Sequence, residues 1–145
     1  MTDSEFVAPF ALEYTYKRSL GPVLSRFMTS LRDAKIEGVI TQSGRVLVPP
    51  TEYDPETGED INGFVEVGPD GTIETWCWVE EPTEKHPLDT PFAWALITLD
   101  GADTSIVHAV SGARSAIRCG ARVQARWRQE RQGHITDIEC FEVIP

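Results

Sequence analysis

Residues 38–60 read GVITQSGRVLVPPTEYDPETGED, and two tight turns frame them. The first turn holds Gly44, where the absence of a Cβ lets the backbone adopt positive φ. A short β-like run, Arg45-Val46-Leu47-Val48, leaves it. Pro49-Pro50 ends that run, because proline cannot donate to a sheet ladder. A second turn follows and closes at Gly58, crowded by Glu52, Asp54, Glu56, Glu59 and Asp60.

This is the rhythm of a zinc ribbon, in which each turn carries half of a tetrahedral metal site. Structural zinc needs four thiolate or imidazole ligands, usually arranged as two CxxC-like knuckles. The frame puts those ligands at Ile40, Ser43, Asp54 and Thr57, with two residues intervening within each pair and ten between the pairs. Isoleucine cannot bind metal, serine and threonine hydroxyls bind zinc poorly, and one aspartate cannot hold it alone. No zinc is therefore expected, and no other cofactor. The same residues also suit an ordinary two-stranded loop with two glycine turns. The acidic turn lacks the ligand and glycine spacing of an EF-hand calcium loop.

Upstream, residues 1–16 read as extended or disordered, and residues 21–35 as an amphipathic helix. Val23, Leu24, Phe27, Met28 and Leu31 form one apolar stripe at helical spacing. Pro22 suits the first turn, Ser19 is a candidate cap, and Lys35 and Gly38 serve as stop signals. Downstream of residue 61 the period changes to two. FVEV and TIETWCWVE flank Gly68-Pro69-Asp70-Gly71 as a hairpin. FAWALITL is a fully apolar strand and TSIVHAV another, with SGARSAIRCG as a loop or short helical turn. ARVQARWRQ and HITDIECFEVI form a last hairpin around Arg131-Gln132-Gly133. Six short strands with frequent turns predict a small β-barrel. The expected fold is mainly β with an N-terminal helix. Its divisions are residues 1–37 (extended segment and helix), 38–60 (degenerate, metal-free, rubredoxin-like ribbon) and 61–145 (the barrel, an OB fold).

The 145 residues suffice for one ordinary domain with a small appendage. No apolar run is long enough to span a bilayer, and the N-terminus lacks the basic and apolar regions of a signal peptide. A cytoplasmic protein is expected. Cys77, Cys119 and Cys140 are scattered and odd in number, which points to buried free thiols rather than a disulfide framework. A net charge of −10 argues against nucleic-acid binding, although OB barrels can bind single strands. The charge is uneven: six of the thirteen basic residues lie between Arg114 and Arg131, with Glu130 the lone acid among them.

No catalytic signature is present. His86 precedes a proline in a polar loop, His108 lies within a strand and His134 opens one. None has an evident positioned partner for general-base work. Cys77 sits on the strand face opposite Trp76 and Trp78 and reads as an inert, buried thiol. Trp76, Trp78, Trp94 and Trp127 suit core packing or an apolar ligand channel. Arg122, Gln124, Arg126 and Arg128 share one face of their strand. That face is either a phosphate-binding surface or an ordinary solvated one.

The order of these pieces resembles a known family. YKRSLGPVLSRFMTSLRDAKIEG runs into the frame SGRVLVPPTEYDP, then into PFAWALITLDGA, and the chain closes with CGARVQARW and a final strand. Residues 14 to about 143 are similar to the zinc-ribbon and OB-fold family of acyl-CoA-associated proteins. The resemblance implies a non-catalytic accessory subunit of a thiolase-like enzyme, a lipid-transfer-type thiolase or aldolase. The complex would be a hetero-oligomer, α2β2, acting on acyl-CoA in lipid or steroid side-chain degradation, with no nucleic-acid or membrane partner. It further implies that the helix and ribbon dock on the partner, through Val23, Leu24, Phe27, Met28, Leu31, Val46 and Val48. Arg122, Arg126 and Arg128 would face the CoA phosphates. The sequence departs from the family in lacking all four ribbon cysteines. A free-standing acyl-CoA-binding protein or thioesterase, with His108 or an acidic residue activating water, is the alternative.

Overall fold

The computed structural model describes residues 7–145. One helix, α1 (Gly21–Arg32), precedes eight strands: β1 (Ile36–Ile40), β2 (Val46–Leu47), β3 (Gly63–Val67), β4 (Asp70–Val79), β5 (Phe92–Leu99), β6 (Ser105–Ser111), β7 (Arg122–Trp127) and β8 (Ile138–Val143). β4, β5, β6, β8 and β7 close into a five-stranded barrel. β6 and β8 pair in parallel and every other barrel pair is antiparallel. This is the mainly β, OB-type architecture expected.

β3 departs from expectation. FVEV does not form a hairpin with TIETWCWVE. It pairs along its whole length with β1, Ile36 opposite Val67 and Ile40 opposite Gly63, in a separate three-stranded sheet ordered β2-β1-β3. The Gly68–Asp70 corner therefore links two sheets, and the sheet expected to end at residue 60 extends to Val67. Local turn chemistry shows that a chain reverses, not which neighbour it then meets.

The helix is shorter than expected. Leu20, not Ser19, occupies the N-cap position, with no side-chain cap. Lys35 lies beyond the C-cap Asp33. Gly38 is no stop signal but the centre of β1. A Cβ there would lie 2.8 Å from Val48 Cγ2 and 2.9 Å from the Leu47 carbonyl oxygen, so only glycine lets β2 lie so close. Gly71 does the same for the barrel, where a Cβ would meet the Thr98 carbonyl oxygen at 2.8 Å.

The apolar stripe of α1 faces inward. Phe27 and Leu31 join Ile36, Val67, Ile97, Ile138 and Phe141 in the main core. Val23 packs with Val39 and Leu47 in a smaller one. The helix thus covers one end of the barrel. Arg131, from the β7–β8 connection, fastens its C-terminus by donating from Nε to the Arg32 carbonyl at 2.8 Å, satisfying one of the orphan acceptors of a helix end.

The β2 segment is tied to the barrel by its backbone. Val46 N–H donates to Asp103 Oδ2 at 2.8 Å and Val48 N–H to Thr104 Oγ1 at 2.7 Å. Thr104 Oγ1 returns a bond to the Val48 carbonyl at 2.9 Å. These bonds hold the small sheet against the β5–β6 turn.

Candidate functional site

The two turns that opened the sequence argument meet, and polar side chains hold them. Asp54 is 3% exposed, and its Oδ1 accepts the Glu56 N–H at 2.9 Å. Thr57 Oγ1 accepts the Glu59 N–H at 3.2 Å. In the first turn Ser43 Oγ bonds the buried Thr41 Oγ1 at 2.9 Å, and Thr41 Oγ1 accepts the Arg45 N–H at 3.1 Å. Between the turns Arg45 pairs with Glu56, and Gln42 Nε2 donates to the Asp60 carbonyl at 3.0 Å. Hydrogen bonds and one ion pair thus close the two turns. Among the described residues, no group of three His, Cys, Asp or Glu side chains could hold a metal ion.

The seven residues expected to dock on a partner do not form one exposed patch. Val23, Phe27, Leu31 and Val48 are buried in the chain's own core, none more than 6% exposed. Leu24, Met28 and Val46 are half-buried. The barrel offers its open end to the helix, which covers it.

The three strand arginines differ from one another. Arg122 makes a two-pronged contact with Asp100, at 2.7 and 2.5 Å, and also reaches Thr72. Arg126 lies between Glu139, at 2.7 Å, and Glu142. Partnered carboxylates already neutralise both, so neither is a free phosphate ligand. Arg128 lies past the bulge that interrupts the β7–β8 ladder between Arg126 and Trp127. Its Nε donates to the Thr136 carbonyl at 2.7 Å, leaving its terminal nitrogens clear of any carboxylate ion pair among the described residues.

Arg128 stands at the mouth of a cavity of about 220 Å³. Pro87, Trp94, Val107, Ile135 and Ile138 make its wall mostly apolar, with Thr136 at the rim and His108 in the wall. A polar cleft lined by Thr83, His86, Asp89 and Glu139 adjoins it and shares Arg128 and Pro87. His86 braces Trp94 and Phe92, its ring centroid 6.5 and 5.5 Å from theirs. An apolar chamber with one free guanidinium at its mouth suits a ligand that is apolar at one end and anionic at the other. The lining comes from β5, β6, β8, the residue just past β7, the 3₁₀ turn Ile135–Asp137 and the 82–91 loop. Trp94 and Arg128 had been singled out in the sequence for separate reasons. Pro87, Ile135 and Ile138 carried no signal, since barrel closure is what brings them together.

No hydrogen bond joins the nucleophile and base candidates among the described residues. His108 is 6% exposed, and its Nδ1 accepts the Ala109 N–H at 2.9 Å. Burial lowers its pKa, against the backbone groups of Ala109 and Ile135, so the ring is neutral at pH 7. No carboxylate bonds the ring among the described residues. His134 opens no strand; it caps the 3₁₀ turn Ile135–Asp137. Cys140 is buried, with its thiol pushed up by desolvation and donating to Ser111 Oγ at 3.4 Å. Cys77 and Cys119 are exposed, not buried. The alternation at Trp76-Cys77-Trp78 holds, but the tryptophans take the inner face and turn the thiol outward.

Residues 7–20 hold a feature that the sequence reading passed over. The segment belongs to no helix or strand and is solvent-exposed throughout, with Phe10 87%, Leu12 74%, Tyr14 75% and Tyr16 77% exposed. Its signal was period-two alternation, large apolar residues at 10, 12, 14 and 16.

Residues 64–128 match the family model of the ChsH2 C-terminal OB-fold domain. Two solved structures are similar over most of the chain. One is a protein of unknown function from the DUF35 family of Sulfolobus solfataricus, 20% identical with a TM-score of 0.67, over 86% of this chain and 85% of that one. The other is the Ltp2-ChsH2(DUF35) aldolase, 18% identical with a TM-score of 0.64, over 88% of this chain and 98% of that one. No curated protein matches the sequence. The expected family and OB fold agree with these likenesses.

Proposed function

From the premise that this chain is an OB-fold, ChsH2-like protein, we propose that it is a non-catalytic accessory subunit. It pairs with a thiolase-like enzyme and helps to accommodate that enzyme's acyl-CoA substrate in lipid or steroid side-chain degradation. The observation that carries the reading is the extent of the likeness to the Ltp2-ChsH2(DUF35) aldolase, 98% of whose matched chain is covered. The hydrogen bonds of His108 to Ala109 and of Cys140 to Ser111, with no carboxylate on the imidazole among the described residues, support a subunit that does no chemistry itself. No described helix is long and apolar enough to cross a membrane, and the proposed setting is the cytoplasm.

In this reading the apolar chamber receives part of the acyl group. Arg128, rather than Arg122 or Arg126, meets a CoA phosphate or carbonyl oxygen. The direct test is co-expression with the thiolase-like subunit encoded in the same source cell, followed by size-exclusion chromatography. A stable heteromer that turns over acyl-CoA is expected. A chain that elutes alone, or that hydrolyses acyl-CoA without a partner, overturns the proposal. Within the complex, Arg128→Ala should weaken acyl-CoA binding about 10-fold, the worth of one charge-assisted hydrogen bond. Arg122→Ala should change it less than about 2-fold. Equal effects would remove Arg128 from the site.

We further propose that the ribbon-like sheet is metal-free in solution. Structural zinc supplies on the order of 10 kcal/mol to the folding of small zinc domains, so chelation unfolds them. Here the turns are closed by Thr41, Asp54, Thr57 and the Arg45–Glu56 pair. A chelator should leave the melting temperature unchanged to within about 1 °C. Unfolding on chelation, with one zinc released per chain, would overturn this.

A further inference from the structure

We infer that residues 10–16 form an interaction strand that adds to a sheet edge of a partner protein, with Phe10, Leu12, Tyr14 and Tyr16 entering its apolar surface. The inference rests on the accessory-subunit reading for the partner's class and names the segment that engages it. The stretch FALEYTY alternates apolar and polar residues at a period of two, with Ala11, Glu13 and Thr15 on the other edge. That alternation marks a half-buried strand, and seven residues is an ordinary strand length. Tyr14 and Tyr16 lie on one side, their ring centroids 6.4 Å apart. Pro9 sets the upstream limit, since proline removes a ladder donor. Among the described residues, no backbone hydrogen bond from residues 10–16 to the rest of the chain accompanies this pattern. A strand pattern without a sheet calls for a sheet from elsewhere.

The chain's own body does not supply one. Its barrel is closed, and the longest stretches it leaves paired on one side alone, residues 74–79 of β4 and 105–109 of β6, are shorter than the seven-residue arm. The small sheet ends on one side at β2, two residues long and followed by Pro49-Pro50, and on the other at β3, five residues long. Neither offers a register for a seven-residue strand in a second copy. Charge points the same way: the chain carries −10 overall, which sets copies against each other. The arm itself, with Glu13 against Lys17 and Arg18, is not acidic. The occupant is therefore a different protein, with an exposed sheet edge beside an apolar face, as in strand-addition recognition.

The test uses the full chain and the thiolase-like subunit with which it co-purifies. Phe10→Asp with Tyr14→Asp should weaken the complex at least about 100-fold, because two buried aromatic anchors are replaced by charges. The paired conservative changes Phe10→Leu and Tyr14→Phe should cost less than about 10-fold. The melting temperature of the free chain should not move, since the arm packs on nothing. Hydrogen exchange at amides 10–16 should slow on complex formation, which side-chain contact without strand pairing would not produce. Wild-type affinity in the Asp variant, or fast exchange in the complex, overturns this inference and leaves the accessory-subunit reading standing. Failure of the wild-type chain to form any complex overturns both. Self-association of the free chain that the Asp variant abolishes would move the occupant to a second copy and overturn the assignment to a different protein.

Discussion

Phe27→Ala is expected to lower the melting temperature by roughly 10–20 °C, the largest loss from any single truncation in α1. Phe27 is 2% exposed and lies in the main core with Leu31, Ile36 and Ile138. Truncating a buried phenylalanine costs about 3–5 kcal/mol, because lost transfer energy and the cavity left behind add together. A domain of this size has about 5–15 kcal/mol in total, and each 1 kcal/mol shifts the midpoint by a few degrees. Phe27→Asp should prevent stable folding, since an unpaired carboxylate would replace the ring. Thermal unfolding followed by circular dichroism reads both variants. A Phe27→Ala protein melting within about 2 °C of wild type would mean that the helix does not cover the barrel, and the stripe would return as a docking surface.

Asp137→Ala should cost roughly 3–5 kcal/mol, through hydrogen bonds rather than packing. Its carboxylate is 2% exposed and accepts three backbone N–H groups: Gln132 at 3.0 Å, Gly133 at 2.7 Å and His134 at 3.0 Å. Those donors belong to the connection that carries Arg131 to the end of α1, so losing the acceptor loosens both the turn and the helix anchor. The effect has a pH signature. Burial works to raise the Asp137 pKa, but the backbone donors, with His134, outweigh it and hold the carboxyl below its usual range. A group whose folded pKa is depressed stabilises the fold fully above its unfolded value, about 3.9, and ceases to do so as pH falls through the folded value. Glu37, held low by its bonds to Arg26, and Asp100, held low by Arg122, act in the same direction. Wild-type stability should therefore decline below about pH 4, and Asp137→Asn should decline less steeply there while being less stable at pH 7. Denaturant unfolding at several pH values checks this; parallel curves would remove Asp137 from the linkage.

Local patterning already carried much of this molecule. The stripe from Val23 to Leu31 defined a helix with one buried face; period-two alternation, and in FAWALITL a continuous apolar run, marked the five barrel strands, since side chains alternate across a strand whatever it pairs with. The ribbon frame was legible because turns need glycine at fixed positions, and the proposal that it holds no metal rests on side-chain type at Ile40, Ser43, Asp54 and Thr57. Pattern alone could not say what lies against a buried face. The helix stripe suits a partner or the chain's own barrel equally well, and only the closed barrel, with Arg131 reaching Arg32, decides for the barrel. FVEV suits a hairpin with β4 or a ladder with β1, because the ladder is made of backbone groups that every residue carries. The arginine face divides only in three dimensions: Asp100 from the β5–β6 turn and Glu139 and Glu142 from β8 neutralise Arg122 and Arg126, while Arg128, past the bulge, lines the chamber. A periodic sequence specifies which side of an element must be covered; the partner for that side is chosen by contacts between residues distant in the chain, which no local period encodes.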